Sequence, residues 1–147
     1  MKVLNYGSLN VDYVYSVDHI IVGGETQHSS KLEVFSGGKG LNQSIALAKA
    51  GVPVYHAGIV GTDGDILLEA CKEAGVNTKY IRRLPVKGGH TMIQVDKNGQ
   101  NNIIICGGAN DAVSMGMIDD ALREISEGDI VLLQNEISNV GYAVEQA

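Results

Sequence analysis

Gly37-Gly38-Lys39-Gly40 stands directly before a helical pattern carried by Leu41, Ile45, Leu47 and Ala48. Glycines at a helix N-terminus let a ligand approach the backbone closely, and the unpaired amides and helix dipole favour oxygen-rich or anionic groups. Two familiar phosphate-binding motifs fail at this loop. A P-loop needs a glycine five positions before its Gly-Lys pair and a Ser or Thr after it; those positions hold Glu33 and Gly40. A dinucleotide fingerprint begun at Gly38 and Gly40 needs a third glycine where Gln43 stands, and should follow the first strand directly. By itself such a cluster reads as a structural turn.

The spacing downstream is more specific. Asn42 lies two residues after Gly40, Ser44 two further, and Gly51 and Gly61 follow. From Gly37 to Gly61 this resembles the first signature of the PfkB sugar-kinase family, the ribokinase-like kinases. Other stretches agree in order: Gly7-Ser8-Leu9-Asn10-Val11-Asp12, Gly24-Glu25-Thr26, Gly108-Ala109-Asn110 and Gln134-Asn135-Glu136 each resemble a family segment. Ile66 departs from the pattern, standing where the family often has Gly. Lys39 with Asn42-Gln43 is similar to ribokinase-like members rather than fructokinase-like ones.

The resemblance implies a fold and a set of roles. The fold is an α/β three-layer sandwich with a mainly parallel sheet, plus a small β-sheet lid formed by strands at about 11–35 and 90–106. Residues 1–147 would be its N-terminal part, with the C-terminal half missing. The activity is ATP-dependent phosphorylation of a sugar's primary hydroxyl, with ribose the first candidate. Asp12 is similar to the carboxylate that binds two ring hydroxyls, and Asn10, Gly38, Lys39, Asn42 and Glu136 would complete the sugar-binding set. All but Gly38 have a plainer reading: a turn aspartate, a strand-end asparagine, a local cap at Asn42, a solvated Lys39, a helix N-terminal charge at Glu136. The catalytic base, the ATP pocket, Mg2+ and a monovalent cation belong to the family's other half. Gly107-Gly108-Ala109-Asn110-Asp111 fits the exit of the lid hairpin and does not open an extended helix. The lid strands also imply a homodimer.

The elements that would carry these residues alternate. Strands are expected at Val3–Tyr6, Val11–Val17, Lys31–Phe35 and Val54–Val60, with a helix through Leu41 to Ala48 that Gly51 follows as C-cap and another over Ile66–Ala74 closed by Gly75. His90–Asp96 and Asn101–Cys106 flank Lys97-Asn98-Gly99, a hairpin signal. A helix from Ser114 to Ile125, a strand buried on both faces at Asp129–Leu133 and a helix from Ser138 follow. Strand–helix alternation with an inserted hairpin argues an α/β fold.

Composition excludes other classes. Hydrophobic residues at 44% and charged residues at 19% suit a globular domain. A net charge of -6 argues against a nucleic-acid binder, which needs a basic face. No apolar run is long enough to cross a membrane, and two cysteines without a CxxC or a signal peptide suit a reduced, cytoplasmic protein. His19, His28, His56 and His90 are scattered without metal-ligand spacing and read as solvated or turn residues. Two functions remain: the sugar-binding part of a kinase, or a stand-alone sugar-binding or dimerising module.

Overall fold

The computed structural model describes residues 1–147. β1 (Val3–Tyr6) is buried along its whole length and lies at the centre of a four-stranded parallel sheet, in the order β5-β4-β1-β8. Its neighbours are β4 (Val54–Val60) and β8 (Ile130–Leu133), and β5 (Asn77–Arg83) pairs with the far side of β4. Successive side chains of a strand point to opposite faces, and β1 uses both. Leu4 and Tyr6 join Ile118, Ala121, Ile137 and Ala143 in one core. Val3 joins Leu41, Leu67 and Cys71 in the other. The first core lies under α3 (Met115–Leu122) and α4 (Val140–Gln146), the second under α1 (Lys39–Lys49) and α2 (Asp65–Ala74). The result is the expected three-layer α/β sandwich.

A second sheet has the order β3-β2-β6-β7, from β3 (Lys31–Gly37), β2 (Asn10–Ser16), β6 (Gly89–Val95) and β7 (Asn101–Cys106). β2 and β6 are parallel; the outer pairs are antiparallel. The hairpin turn forms as expected: Asp96 accepts from the amides of Asn98 and Gln100 at 2.8 and 3.0 Å, and Gly99 takes φ 79°. The register puts Phe35, Asp12, Thr91 and Ile105 in one row across all four strands. Val34, Tyr13, Met92 and Ile104 form the adjacent row on the opposite face.

Four local expectations need correction. β5 is unanticipated, because Asn77–Arg83 is rich in charge; it is an edge strand whose Lys79, Arg82 and Arg83 reach Glu124, Asp120 and Asp65, as edge strands commonly do. β8 is not buried on both faces: it is the opposite edge, and Ile130 is 47% exposed. α4 begins at Val140, not Ser138. Ser138 donates to the Asp111 carbonyl at 2.6 Å and Asn139 to that of Val113 at 2.7 Å, which holds Asn139 left-handed at φ 58°. His56 is fully buried rather than solvated. Ser114 does cap α3, accepting from the Met117 amide at 3.3 Å, although the helix stops at Leu122. Gly108–Ala112 is one short 3-10 segment, consistent with a hairpin exit. No helix is long and apolar enough to cross a membrane.

Candidate functional site

The end of β1 and the start of α1 meet through glycine contacts. Gly38 precedes α1 at φ 99°, a conformation that favours glycine. A Cβ on Gly40 would lie 2.5 Å from the Ser8 amide nitrogen, so only a glycine lets α1 approach the β1 end. The Leu41 amide then donates to the Ser8 carbonyl at 3.0 Å, and the Asn42 amide to the Gly38 carbonyl at 3.0 Å. This places the first turn of α1 at the carboxyl end of the central parallel strand, where open α/β sheets bind ligands.

Asn10 and Asp12 enter from β2. Asn10 is almost fully buried and accepts from the Asn110 side chain at 2.8 Å. Asn110 also bonds Leu9 through its own amide group, accepting from the Leu9 nitrogen at 3.1 Å and donating to its carbonyl at 3.3 Å. The 3-10 segment is thereby stapled to the root of β2. One Asp12 oxygen accepts from the Thr91 hydroxyl at 2.7 Å. The other lies over Gly37, where a Cβ would collide with it at 1.9 Å. Gly37 thus makes room for a carboxylate that keeps acceptor capacity in hand.

Glu136 arrives from the loop after β8. Ser8 donates to one of its oxygens at 2.8 Å, and Lys39 forms an ion pair with the other. Partial burial raises the Glu136 pKa, but the hydrogen bonds from Lys39 and Ser8 outweigh it, and the carboxyl is held below the usual range. The Lys39 side chain is 67% exposed, so the pair contributes little to stability, typically under ~1 kcal/mol; its consequence is orientation. Glu136 is not an N-terminal helix charge, since α4 starts four residues later, at Val140. Asn42 does not cap α1 either: Gly38 holds the cap position, with no side-chain bond.

All six residues singled out in the sequence, Asn10, Asp12, Gly38, Lys39, Asn42 and Glu136, line one cavity of about 160 Å³, roofed by Ile93, Ile103 and Ile105 of the second sheet. A neighbouring cavity of about 410 Å³ shares Asn10, Ile105 and Glu136 and reaches Asp111 and Ser138. Three contributors were not singled out as site residues: Ser8, Thr91 and Asn110. Ser8 and Asn110 fall inside segments whose pattern had been noticed, whereas Thr91 carries no sequence signal beyond its place in a strand. No group of three or more His, Cys, Asp or Glu side chains comes together as a metal site. Carboxylates, amides and backbone groups facing a small cavity with an apolar roof suit a neutral, densely hydroxylated ligand.

Parallel sheet, glycine loop and carboxylate-bearing second sheet together define an α/β protein of the ribokinase-like fold. Residues 1–144 match the family described as pfkB family carbohydrate kinase, and the chain belongs to that family. It is 37% identical over 140 residues to the ribokinase of Staphylococcus aureus, covering 92% of this chain and 46% of that protein. It is 31% identical over 150 residues to the deoxyribokinase of Salmonella typhi, covering 99% of this chain and 49% of that one. A solved structure of Arabidopsis thaliana ribokinase complexed with ribose and ATP superposes with a TM-score of 0.75 at 32% identity, over 92% of this chain and 46% of the other. The chain therefore spans about half the length of the relatives it matches.

Proposed function

We propose that this chain is the sugar-gripping part of an ATP-dependent kinase that phosphorylates a primary hydroxyl of a pentose, with ribose the first candidate and deoxyribose the second. The observation that carries this reading is the convergence of Asp12, Asn42 and Gly38 on one small cavity under an apolar roof. With ribose, Asp12 accepts from two vicinal ring hydroxyls, one of which deoxyribose lacks; Asn10 and Asn42 bond the remaining hydroxyls, Gly38 lends its backbone amide, and Lys39 holds Glu136 ready to accept another. The second sheet acts as the lid. ATP, Mg2+ and a monovalent cation are held mostly by polypeptide outside these residues, which also supplies the catalytic base. Exposed apolar residues at this edge support that division: Ile130 on the edge strand is 47% exposed, Val144 on α4 is 62% exposed, and Leu132 borders an open apolar groove beside α1.

The test is nucleotide turnover. The purified 147-residue chain with ribose and ATP is expected to bind the sugar and to release ADP no faster than a ribose-free control. Ribose-dependent ADP release would place the base within these residues and contradict the division of labour.

The lid also supports self-association. Leu32, Val34, Met92 and Ile104 share one face of that sheet and are each at least 44% exposed. A row of exposed apolar side chains on one sheet face is a usual mark of an interaction surface, and a two-fold dimer through it covers both copies at once. The stand-alone reading, a sugar-binding or dimerisation module without kinase activity, draws on this same patch. Sedimentation is expected to show a dimer, and the double variant Met92→Asp, Ile104→Asp a monomer. A monomeric parent chain would remove the lid interface from the account.

A further inference from the structure

A buried polar network lies directly beneath the glycine loop. His56, in the middle of β4, has no exposed surface. Its Nδ1 is 2.8 Å from the Ser44 hydroxyl on α1, and its Nε2 is 3.2 Å from the Gly7 carbonyl at the end of β1. Asn5 of β1 donates to the Ser44 hydroxyl at 2.8 Å and to the Gly40 carbonyl at 2.7 Å. Asn5 in turn accepts from Gln134, beyond β8, at 2.8 Å. Three elements of the sandwich and the segment after β8 are thus tied together by side chains that an apolar core does not require.

The proton positions follow from the partners. The Gly7 carbonyl can only accept, so Nε2 carries the hydrogen. Burial pushes the imidazole pKa down to about 4, so the ring is neutral and Nδ1 must accept. The Ser44 hydroxyl donates to it, and its oxygen is left to accept from Asn5. His56, Ser44 and Asn5 have their bonds met in one orientation, which holds a single arrangement at the centre of the network, while the Gln134 side-chain carbonyl oxygen at its edge is buried without a partner.

The two ends of this network are the two sides of the candidate sugar site. Gly7 precedes Ser8, whose carbonyl fixes the Leu41 amide and whose hydroxyl reaches Glu136. Gly40 and Ser44 belong to the helical turns that carry Asn42. We propose that His56 is a positioning residue of the sugar-binding site: by bridging Ser44 on α1 to the Gly7 carbonyl, it fixes the register of the glycine loop. This rests on the sugar-site reading above. The imidazole touches no ligand itself and acts through Ser44 and Gly7.

Three variants separate positioning from plain packing. His56→Asn places an amide near the Nδ1 position and keeps the Ser44 bond. His56→Gln reaches toward the Nε2 position and loses the Ser44 bond, and Ser44→Ala loses the same bond from the other side. In His56→Gln and Ser44→Ala, amide hydrogen exchange at Leu41 and Asn42, relative to Ile59 in β4, is expected to rise by about tenfold, the order of effect of leaving a buried polar group without its partner. Ribose affinity, measured by calorimetry, is expected to fall by about the same factor in all three variants, since His56→Asn keeps the Ser44 bond but loses the bond to the Gly7 carbonyl and so also breaks the bridge. Unchanged exchange at Leu41 and Asn42 in His56→Gln and Ser44→Ala overturns the proposal. So does altered exchange with unchanged ribose affinity, because the network is then structural alone. If the parent chain binds no ribose, the sugar-site reading fails, and the exchange ratios still decide whether His56 sets the loop.

Discussion

Replacing Asp12 with asparagine is expected to weaken ribose binding by at least about a hundredfold while leaving the fold intact. The Thr91 hydroxyl donates to one carboxylate oxygen at 2.7 Å, and asparagine can keep that acceptor. What it exchanges is the second oxygen, the one seated over Gly37, for an NH2 group that cannot accept. A sugar diol offers hydroxyl donors, and bonds to a charged acceptor contribute roughly 1.5–3 kcal/mol each. Losing the charge and one acceptor removes about 3 kcal/mol, which is a little over a hundredfold in dissociation constant. Asp12→Ala removes both oxygens and is expected to abolish measurable binding. Calorimetry with ribose checks both, with thermal unfolding as the control for the fold. An affinity for Asp12→Asn within threefold of the parent would take Asp12 out of the site and leave it as a hydrogen-bonded residue of the lid.

Gly40→Ala is expected to destabilise the chain by about 3 kcal/mol, which lowers the melting temperature by roughly 6–12 °C for a domain of this size. The usual rule points the other way. Alanine is better than glycine inside a helix by about 1 kcal/mol, and Gly40 is a helical residue. The sign reverses because the added Cβ would meet backbone: 2.5 Å from the Ser8 nitrogen, 2.6 Å from the Gly7 carbonyl carbon and 2.7 Å from the Gly7 Cα. None of these is the tip of a flexible side chain, so α1 as a whole must move away from the end of β1. That motion displaces Gly38 and Asn42 from Asp12, and ribose affinity is expected to fall with the stability. Gly116→Ala in α3 is the matched control, since a Cβ there meets nothing within 4 Å; it is expected to be neutral or stabilising. Equal melting temperatures for the two variants would contradict the close approach at Gly40.

These two results concern the part of the molecule that was easiest to read from the chain. A glycine loop before a helix is a local feature, and Gly37 to Gly61 carries its spacing within one stretch. The hairpin was legible for the same reason, since its turn is written in Lys97-Asn98-Gly99. Asn10 and Asp12 were legible through the segment around them, but their partners were not: Asn110 is 100 residues from Asn10, and Thr91 is 79 from Asp12. Nothing in the type or neighbours of Thr91 marks it as the residue that holds the site carboxylate. The strands at the two edges failed in opposite senses. β5 is polar because one side of it faces solvent and oppositely charged helices, so it lacks the apolar run that marks a strand. β8 is apolar, yet Ile130 stands half in solvent, because burial depends on what covers a strand as well as on its composition. His56 was misread for a related reason. One histidine in an apolar run says nothing about Ser44, Asn5 and Gly7, the long-range partners that allow it to be buried.

The most direct measurement of the sugar site is a ribose titration of the 147-residue chain followed by backbone amide NMR. If the glycine loop and the lid grip the sugar together, the resonances of Asp12, Gly38, Asn42 and Thr91 shift saturably, while those of Ile130 and Tyr142, on the edge strand and the last helix, stay in place. No saturable shift at those four residues, or shifts confined to the edge strand and the last helix, would contradict a sugar site built on Asp12 and the glycine loop.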